Sequence, residues 1–286
     1  MSNLKNIKIG SRSSPLALWQ ANRIKTLLAE KYPDINSTIV QIETSGDIDL
    51  SRSISEIGGK GVFLKELEQS LIDQAIDIAV HSFKDITATS INELHYIGFL
   101  LEESVTDAFI LFNQQSSLSS PATIATGSLR RKALCHHLYP KVTCVDIRGN
   151  IQTRINMAKE LGYDGLLLSL AGLERLKLND LVSIECDPKT FIPAPGQGFL
   201  AIQARKSDVK LSSIIQSIIP KKNQGIGNLY YQLLKGINFN CNLPLGAYIV
   251  DQHLHIFLEY KTPQYFVFKL NEIQLAIDTI KGVIFE

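Results

Sequence analysis

Short apolar runs alternate with helical patterns along most of this 286-residue chain, and that alternation restricts the fold more than any single residue does. A strand, a helical stretch and a second strand in succession imply a crossover, and such crossovers build parallel sheets. Asn6–Ile9 reads as a short strand. Ser14-Pro15 then opens a helix, with serine as N-cap and proline in the first helical position. Leu16, Trp19, Ile24, Leu27 and Leu28 give that helix an apolar face, and it stops near Tyr32-Pro33. Ser37–Thr44 reads as a strand, Val62–Leu71 as a helix and Ile76–Val80 as a buried strand. Between them Ser45–Lys60 is polar and glycine-containing, the composition of a mobile loop. In a second set, Ala108–Phe112, Thr123–Ala125, Val142–Ile147 and Gly165–Ser169 are extended, while Ser128–Leu138 and Ile151–Leu161 are helical. Asn113–Ser120 is a polar surface loop, and Phe199–Ala204 is a further strand. After Pro220 the pattern changes. A helix from about Gly225 to Leu234 precedes three β-like runs, Leu245–Val250, Leu254–Tyr260 and Tyr265–Leu270, and a last helix, Glu272–Ile280. This end of the chain is α+β and reads as a separate small domain.

The length suits two or three domains rather than one core. A formal net charge of +1 argues against a general nucleic-acid binder, which presents a strongly basic face. The charge is nevertheless unevenly placed: all nine arginines lie at or before Arg205. The opening MSNLKNIKIG lacks the apolar stretch of a signal peptide, and no apolar run approaches the ~20 residues of a bilayer span. The chain is therefore expected in the cytoplasm, as a monomer without membrane or nucleic-acid partners. Its four cysteines, Cys135, Cys144, Cys186 and Cys241, fit that compartment as free thiols.

Several segments carry chemistry-bearing side chains. His81-Ser82-Phe83-Lys84-Asp85 directly follows the strand Ile76–Val80, and ligands of α/β sheets bind beyond the carboxyl ends of strands. There Lys84 and Asp85 set a cation beside a titratable carboxylate; a strand-end salt bridge is the plainer reading. Gly58-Gly59-Lys60-Gly61 resembles a phosphate loop but lacks the Walker spacing, so a lid carrying Lys60 is preferred. Ser128-Leu129-Arg130-Arg131 lies at a strand-to-helix junction, where free N–H groups and guanidinium forks attract carboxylates or phosphates. Arg148-Gly149-Asn150 with Arg154 repeats the arrangement after the next strand. Arg12 and Arg175 also fall near strand ends, so six of the nine arginines are placed where one cleft could collect them; scattered solvated arginines are the alternative. Cys135-His136-His137 with Cys144 is not read as a metal site, because adjacent helical residues point about 100° apart, and no metal is expected. Pro193–Gly198 alone is a turn or hinge. Asn240-Cys241-Asn242 lies in a loop, where a thiol is either incidental or a nucleophile.

Taken together these segments resemble the hydroxymethylbilane synthase (porphobilinogen deaminase) family. The matching stretches are GSRSSPLALWQA (10–21), GGKGVFLKELE (58–68), DIAVHSFKD (77–85), ATGSLRRKA (125–133), IRGNIQTR (147–154), YDGLLLSLAGLERL (163–176), PAPGQGFLAI (193–202) and NCNLPLGAY (240–248). They occur in the family's order. The resemblance implies an α/β fold of two lobes like type II periplasmic binding proteins plus a small α+β C-terminal domain. Residues 1–99 and 198–217 would form domain 1, 100–197 domain 2, and 218–286 domain 3.

The resemblance also implies the activity. Four porphobilinogen molecules are condensed head to tail with loss of ammonia, and hydrolysis then releases hydroxymethylbilane for tetrapyrrole (haem) synthesis. The growing chain stands on a dipyrromethane cofactor held by a thioether to Cys241. Asp85 matches the catalytic aspartate, with Lys84 beside it. Cofactor binding falls to Cys241, Lys84, Asp85, Ser128, Arg130, Arg131, Arg148 and Arg154. Substrate binding falls to Arg12, Ser14, Arg148, Arg154, Arg175 and Gln197, with Lys60 covering the cleft. Each pyrrole bears an acetate and a propionate, a cargo suited to guanidinium forks. Four places depart from the family pattern: Gly127 replaces a serine, Thr106 an arginine, Gln203 a glutamate, and Phe239-Asn240 a glycine pair before the cysteine. A two-lobed anion binder without catalysis is the competing class, disfavoured by Asp85 and Cys241 standing together.

Overall fold

The computed structural model describes residues 5–45, 64–88, 91–112, 118, 121–239 and 242–285. The expected loop Ser45–Lys60 lies, apart from Ser45, outside the described residues, as do Lys60, most of Asn113–Ser120, and Asn240-Cys241. In chain order the strands are β1 (Asn6–Arg12), β2 (Asn36–Ile42), β3 (Ile78–Ser82), β4 (Leu94–Leu101), β5 (Asp107–Leu111), β6 (Ala122–Ala125), β7 (Val142–Val145), β8 (Gly165–Ser169), β9 (Ile184–Glu185), β10 (Phe199–Arg205), β11 (Leu245–Val250), β12 (His253–Glu259) and β13 (Pro263–Lys269). The chain divides into two compact units, residues 1–102 with 199–238, and residues 103–198 with 239–286.

The first unit is built on a five-stranded sheet in the order β2-β1-β3-β10-β4. β1 is parallel to β2 and β3, whereas β10 runs antiparallel between β3 and β4. The long helix Pro15–Lys31 provides the β1-to-β2 crossover. Ser14 caps it by accepting from the Ala17 N–H at 3.3 Å, and Pro15 opens its first turn, where its missing N–H costs nothing. The spacing Ala21, Ile24, Leu28 puts one fully buried stripe against Ile7, Ile9, Ile78 and Val80. Each buried isoleucine, leucine or valine side chain among them contributes ~1.5–3 kcal/mol. The opposite sheet face packs Ala79 and Leu94 against Leu67 and Leu71 of the helix Lys65–Ile72. The helix Lys221–Gly236 lies on β4 so closely that a Cβ on Gly227 would stand 2.2 Å from the Cβ of Phe99. Only glycine permits that approach.

The second unit repeats the same plan in the order β7-β6-β8-β5-β9. β6 is parallel to β7 and β8, and β5 runs antiparallel between β8 and β9. In each sheet the antiparallel strand, β5 or β10, is the first strand after the chain crosses from the other unit. This is the type II periplasmic-binding arrangement. Both faces of the second sheet are covered, one with Phe109, Ile124, Leu134 and Leu167, the other with Ala108, Ile110, Leu166 and Leu168. The three-stranded antiparallel sheet β11-β12-β13 and the helix Ile273–Phe285 complete this unit. Ala247 donates its N–H to the Pro193 carbonyl at 2.8 Å, and Phe257 joins the Phe109 cluster.

Among the described residues two strands and two α-helices were not anticipated: β4, β9, and the helices Leu170–Arg175 and Val209–Ser217. The segment Lys221–Gly236, expected to begin the small C-terminal domain, packs on β4 in the first unit instead. Among the described residues no helix is long and apolar enough to cross a membrane.

Candidate functional site

In the first unit the parallel neighbours β1 and β3 end side by side, and their carboxyl ends carry the expected residues. Phe83 is fully buried. Its ring packs on Phe99 at 5.0 Å, Tyr230 at 6.2 Å and Phe199 at 6.3 Å. That aromatic anchor pins the single 3₁₀ turn Phe83–Asp85, leaving Lys84 half-buried and Asp85 exposed. Gln20 donates to the Ser82 hydroxyl at 2.7 Å, tying the helix Pro15–Lys31 to the same strand end. The result is a cleft of about 70 Å³ lined by Arg12, Ser14, Gln20, His81, Ser82 and Asp85, among others. Arg12, Ser14 and Asp85, singled out from separate motifs, thus share one cleft. His81 is buried below it, and burial chiefly pushes its pKa down to about 4; Arg12 adds to that shift, and a hydrogen bond to Gln203 opposes it.

In the second unit the arginine pair behaves differently from the expectation of ligand-facing forks. The helix Leu129–Leu138 is capped by Ser128, whose hydroxyl accepts from the Arg131 N–H at 3.4 Å. Arg130 and Arg131 are only 5% and 6% exposed, and both point at Asp107, which is wholly buried at the start of β5. Arg130 Nη1 donates to Asp107 Oδ2 at 2.8 Å and to the Ile192 carbonyl at 2.8 Å. Arg131 donates to Asp107 Oδ1 from Nε at 2.9 Å, and its Nη2 stands 2.8 Å from the same oxygen. Gln197 Nε2 donates to Asp107 Oδ1 at 3.0 Å and to the Val105 carbonyl at 2.8 Å. Burial alone would push the Asp107 carboxyl up. Arg130 and Arg131, with the Arg130 and Gln197 hydrogen bonds, outweigh it and hold the pKa at about 2.

Arg175 is likewise engaged, donating to Glu103 at 2.7 Å and to the Gly198 carbonyl at 2.7 Å. The residues expected to grip a ligand thus include four, Arg130, Arg131, Arg175 and Gln197, that hold the chain itself. Thr106, at a position where an arginine was expected, donates instead to Glu185 at 2.9 Å.

Arg148 and Arg154 flank the turn Gly149-Asn150. Gly149 adopts a left-handed φ of 102°, and Asn150 caps the next helix by accepting from the Thr153 N–H at 2.9 Å. Arg154 Nε donates to the Gly149 carbonyl at 2.7 Å. Arg148 Nη1 is buried and has no hydrogen-bond partner among the described residues. A buried donor left this way costs about 1–3 kcal/mol, and a bound acceptor removes that cost. A dipyrrole bearing acetate and propionate groups supplies such acceptors, so the donor set here fits an acidic pyrrole.

Asp107 is the residue missed from the sequence. The signal was a single acid opening an apolar strand, Asp107–Leu111, in a chain whose arginines had been assigned to external acids. Cys241 and Lys60 lie outside the described residues.

A family profile described as "Porphobilinogen deaminase, dipyromethane cofactor binding domain" matches residues 7–213 of the chain. The protein named porphobilinogen deaminase of Clostridioides difficile is 37% identical over 257 residues, covering 88% of this chain and 85% of that one. Its namesake from Ehrlichia canis is 38% identical over 245 residues, covering 85% and 82%. Among solved structures, the periplasmic VFT2 domain of Bordetella pertussis BvgS aligns with a TM-score of 0.46 at 12% identity, covering 81% of this chain and 94% of that domain.

Proposed function

The chain belongs to the porphobilinogen deaminase family, and from that premise we propose how its own residues divide the work of a hydroxymethylbilane synthase. The enzyme is a transferase of tetrapyrrole biosynthesis that condenses porphobilinogen units, with loss of ammonia, on a dipyrromethane cofactor. The cofactor, when bound, supplies the pyrrole carbon to which each new ring is joined. Cys241 would hold it through a thioether.

The observation that carries the assignment of roles is the cleft shared by Arg12, Ser14 and Asp85 at the ends of two parallel strands. Asp85, exposed and fixed by the buried Phe83 beside it, would hold the positive charge that develops as ammonia leaves the substrate. It would also accept hydrogen bonds from pyrrole N–H groups and take part in proton transfer there. Lys84, Arg12 and Ser14 would hold acetate and propionate groups at that cleft, with Lys60 adding a cation. Arg148, whose buried Nη1 awaits an acceptor, and Arg154 would grip further carboxylates. Ser128, Arg130, Arg131, Arg175 and Gln197 would complete the binding surface in the orientation that Asp107 and Glu103 impose.

The three-part division, with residues 218–286 as a third domain, stays part of this reading; the separate sheet β11-β12-β13 supports it for the portion after residue 239. A cytoplasmic, monomeric enzyme is proposed as well. The unpaired thiols of Cys135, Cys144 and Cys186 support a reducing compartment.

Intact-mass measurement tests the assignment of the attachment point. Protein purified from cells that make porphobilinogen is expected to carry the added mass of one dipyrromethane, and Cys241→Ser is expected to lose it together with the colour given by Ehrlich's reagent after denaturation. An unmodified wild-type mass, or an adduct that survives in Cys241→Ser, would remove Cys241 from this role.

A further inference from the structure

Beneath the cleft of the first unit lies a run of buried polar groups that the reaction just described leaves unused. His81 on β3 and Gln203 on β10 lie on the same face of the sheet, because Ala201, two residues before Gln203, is the direct partner of His81. Both are buried. Gln203 Nε2 donates to Glu68 Oε1 at 2.7 Å, and Gln203 Oε1 stands 3.1 Å from His81 Nε2. A side-chain amide has one donating end and one accepting end. With the donating end given to Glu68, only the carbonyl end faces the imidazole, so His81 Nε2 carries the hydrogen. Glu68, on the helix Lys65–Ile72, therefore sets the direction of the whole run.

The surroundings agree. Arg12 on β1 disfavours a second cation, and burial disfavours it more. On β4, Tyr96 stands edge-on to the imidazole with ring centroids 6.3 Å apart. Its phenol is pushed up by burial first, then by Glu68 and by Tyr231 of the helix Lys221–Gly236, so it adds no charge. Burial raises the Glu68 carboxyl, and its bond from Gln203 works against that rise. Asp85, four residues beyond His81, lines the same cleft.

We propose that Glu68 and Gln203 are positioning residues that fix His81 in the tautomer with hydrogen on Nε2, Gln203 offering a neutral acceptor where a carboxylate would favour an imidazolium, so that burial keeps the ring uncharged beside the cleft that Asp85 lines. An imidazolium here would add a positive charge at the cleft that Asp85 lines and so weaken the negative field offered to positive charge on the substrate. This catalytic consequence rests on the role given to Asp85 above; the tautomer of the imidazole rests on the hydrogen bonds, and its lack of charge on burial.

Nitrogen NMR of histidine-labelled full-length protein, with the His81 signals identified by their loss in His81→Gln, reads that state directly. The wild type is expected to show one neutral tautomer with hydrogen on Nε2, still uncharged at pH 6. In Gln203→Glu a carboxylate replaces the amide carbonyl, and His81 is expected to be charged at neutral pH. Turnover should then fall by about tenfold or more, within the range of a displaced proton-transfer group, and recover as pH rises through the new imidazole transition. In Glu68→Gln the amide loses its imposed direction, and a second neutral tautomer is expected without charging. A wild-type proton on Nδ1, a charged wild-type imidazole at pH 7, or unchanged imidazole signals in both variants would overturn the proposal. Should Gln203→Glu fail to fold, Glu68→Gln alone decides it. A wild type without turnover would count against the proposed function, while the imidazole signals would still decide this inference.

Discussion

Replacing Asp107 with asparagine removes one negative charge and almost no volume, and the structure states what that charge holds. Its two oxygens take four short contacts: Arg130 Nη1 at 2.8 Å, Arg131 Nε at 2.9 Å, Arg131 Nη2 at 2.8 Å and Gln197 Nε2 at 3.0 Å. Asparagine keeps one acceptor and turns an NH₂ toward a guanidinium, donor against donor. Arg130 and Arg131 would keep the Ile192 and Leu167 carbonyls but lose their counter-charge while buried. Breaking a buried pair from one side costs ~3–5 kcal/mol. The proton gives a second route to the number. Asp107 is held at about 2 against an ordinary 3.8, worth roughly 2 kcal/mol at neutral pH. The second figure is smaller because it counts only the preference for the charged carboxyl and not the stranded guanidiniums.

The pKa is depressed on folding, so this contribution is fully present above the unfolded value of 3.8 and is lost as pH falls through about 2. Unfolding in urea should be followed by labelling of Cys135 and Cys186, both buried in the same unit, because the single tryptophan, Trp19, lies in the other. For Asp107→Asn the thiols are expected to lose protection at a midpoint at least ~1 M lower, given a slope of ~1–3 kcal/mol/M, with the Trp19 transition unmoved. The gap between variant and wild type should narrow as pH is lowered from about 4.5 toward 2. A midpoint shift worth less than about 0.5 kcal/mol, or a gap independent of pH, would refute the account of Asp107 as the counter-ion of both arginines.

Two further predictions follow from single contacts. Gly227→Ala puts a methyl 2.2 Å from the Cβ of Phe99, so the first unit should lose about 1–3 kcal/mol, as overpacked sites do, seen as an earlier Trp19 transition. Arg148→Ala removes a buried donor that has no hydrogen-bond partner among the described residues. Its stability should stay within about 1 kcal/mol of wild type, while kcat/KM for porphobilinogen falls tenfold or more for loss of a charge-assisted contact; an unchanged kcat/KM would take Arg148 out of the binding set.

The alternation of strands and helices was legible because each crossover leaves two periodicities in the sequence. The Ser14 and Ser128 caps were legible because capping chemistry is local. β4 escaped notice because Leu94–Leu101 is a nearly continuous apolar run, interrupted by Gly98, with no alternation to mark it. Its register with β10 even slips, Gly98 standing opposite Ile202 and Tyr96 opposite Gln203. β9 is two residues long and leaves no pattern at all. At the site, Arg12 and Asp85 could be placed near one cleft because both follow strands, and strand ends collect ligands whatever the fold's details; Ser14, legible as a helix cap, entered the binding set only through the family resemblance. The inward turn of Arg130, Arg131 and Arg175 was not found, because a guanidinium fork suits an internal carboxylate as well as an external one. Choosing between them needs the positions of Asp107, which lies on β5 and 23 residues from Arg130 in sequence, and of Glu103, which takes Arg175.

The antiparallel strand in the first sheet has a consequence for how the chain is made. β10 sits between β3 and β4 and pairs with both, so those two strands gain the partner that joins them only when residues 199–205 have left the ribosome. Throughout translation of the roughly one hundred residues that separate β4 from β10, the nascent first unit has an open slot flanked by two unpaired apolar edges. Such edges invite pairing with other chains. Translation speed across this interval and chaperone occupancy of the two edges should therefore govern the yield of active protein more than the equilibrium stability of the finished fold does.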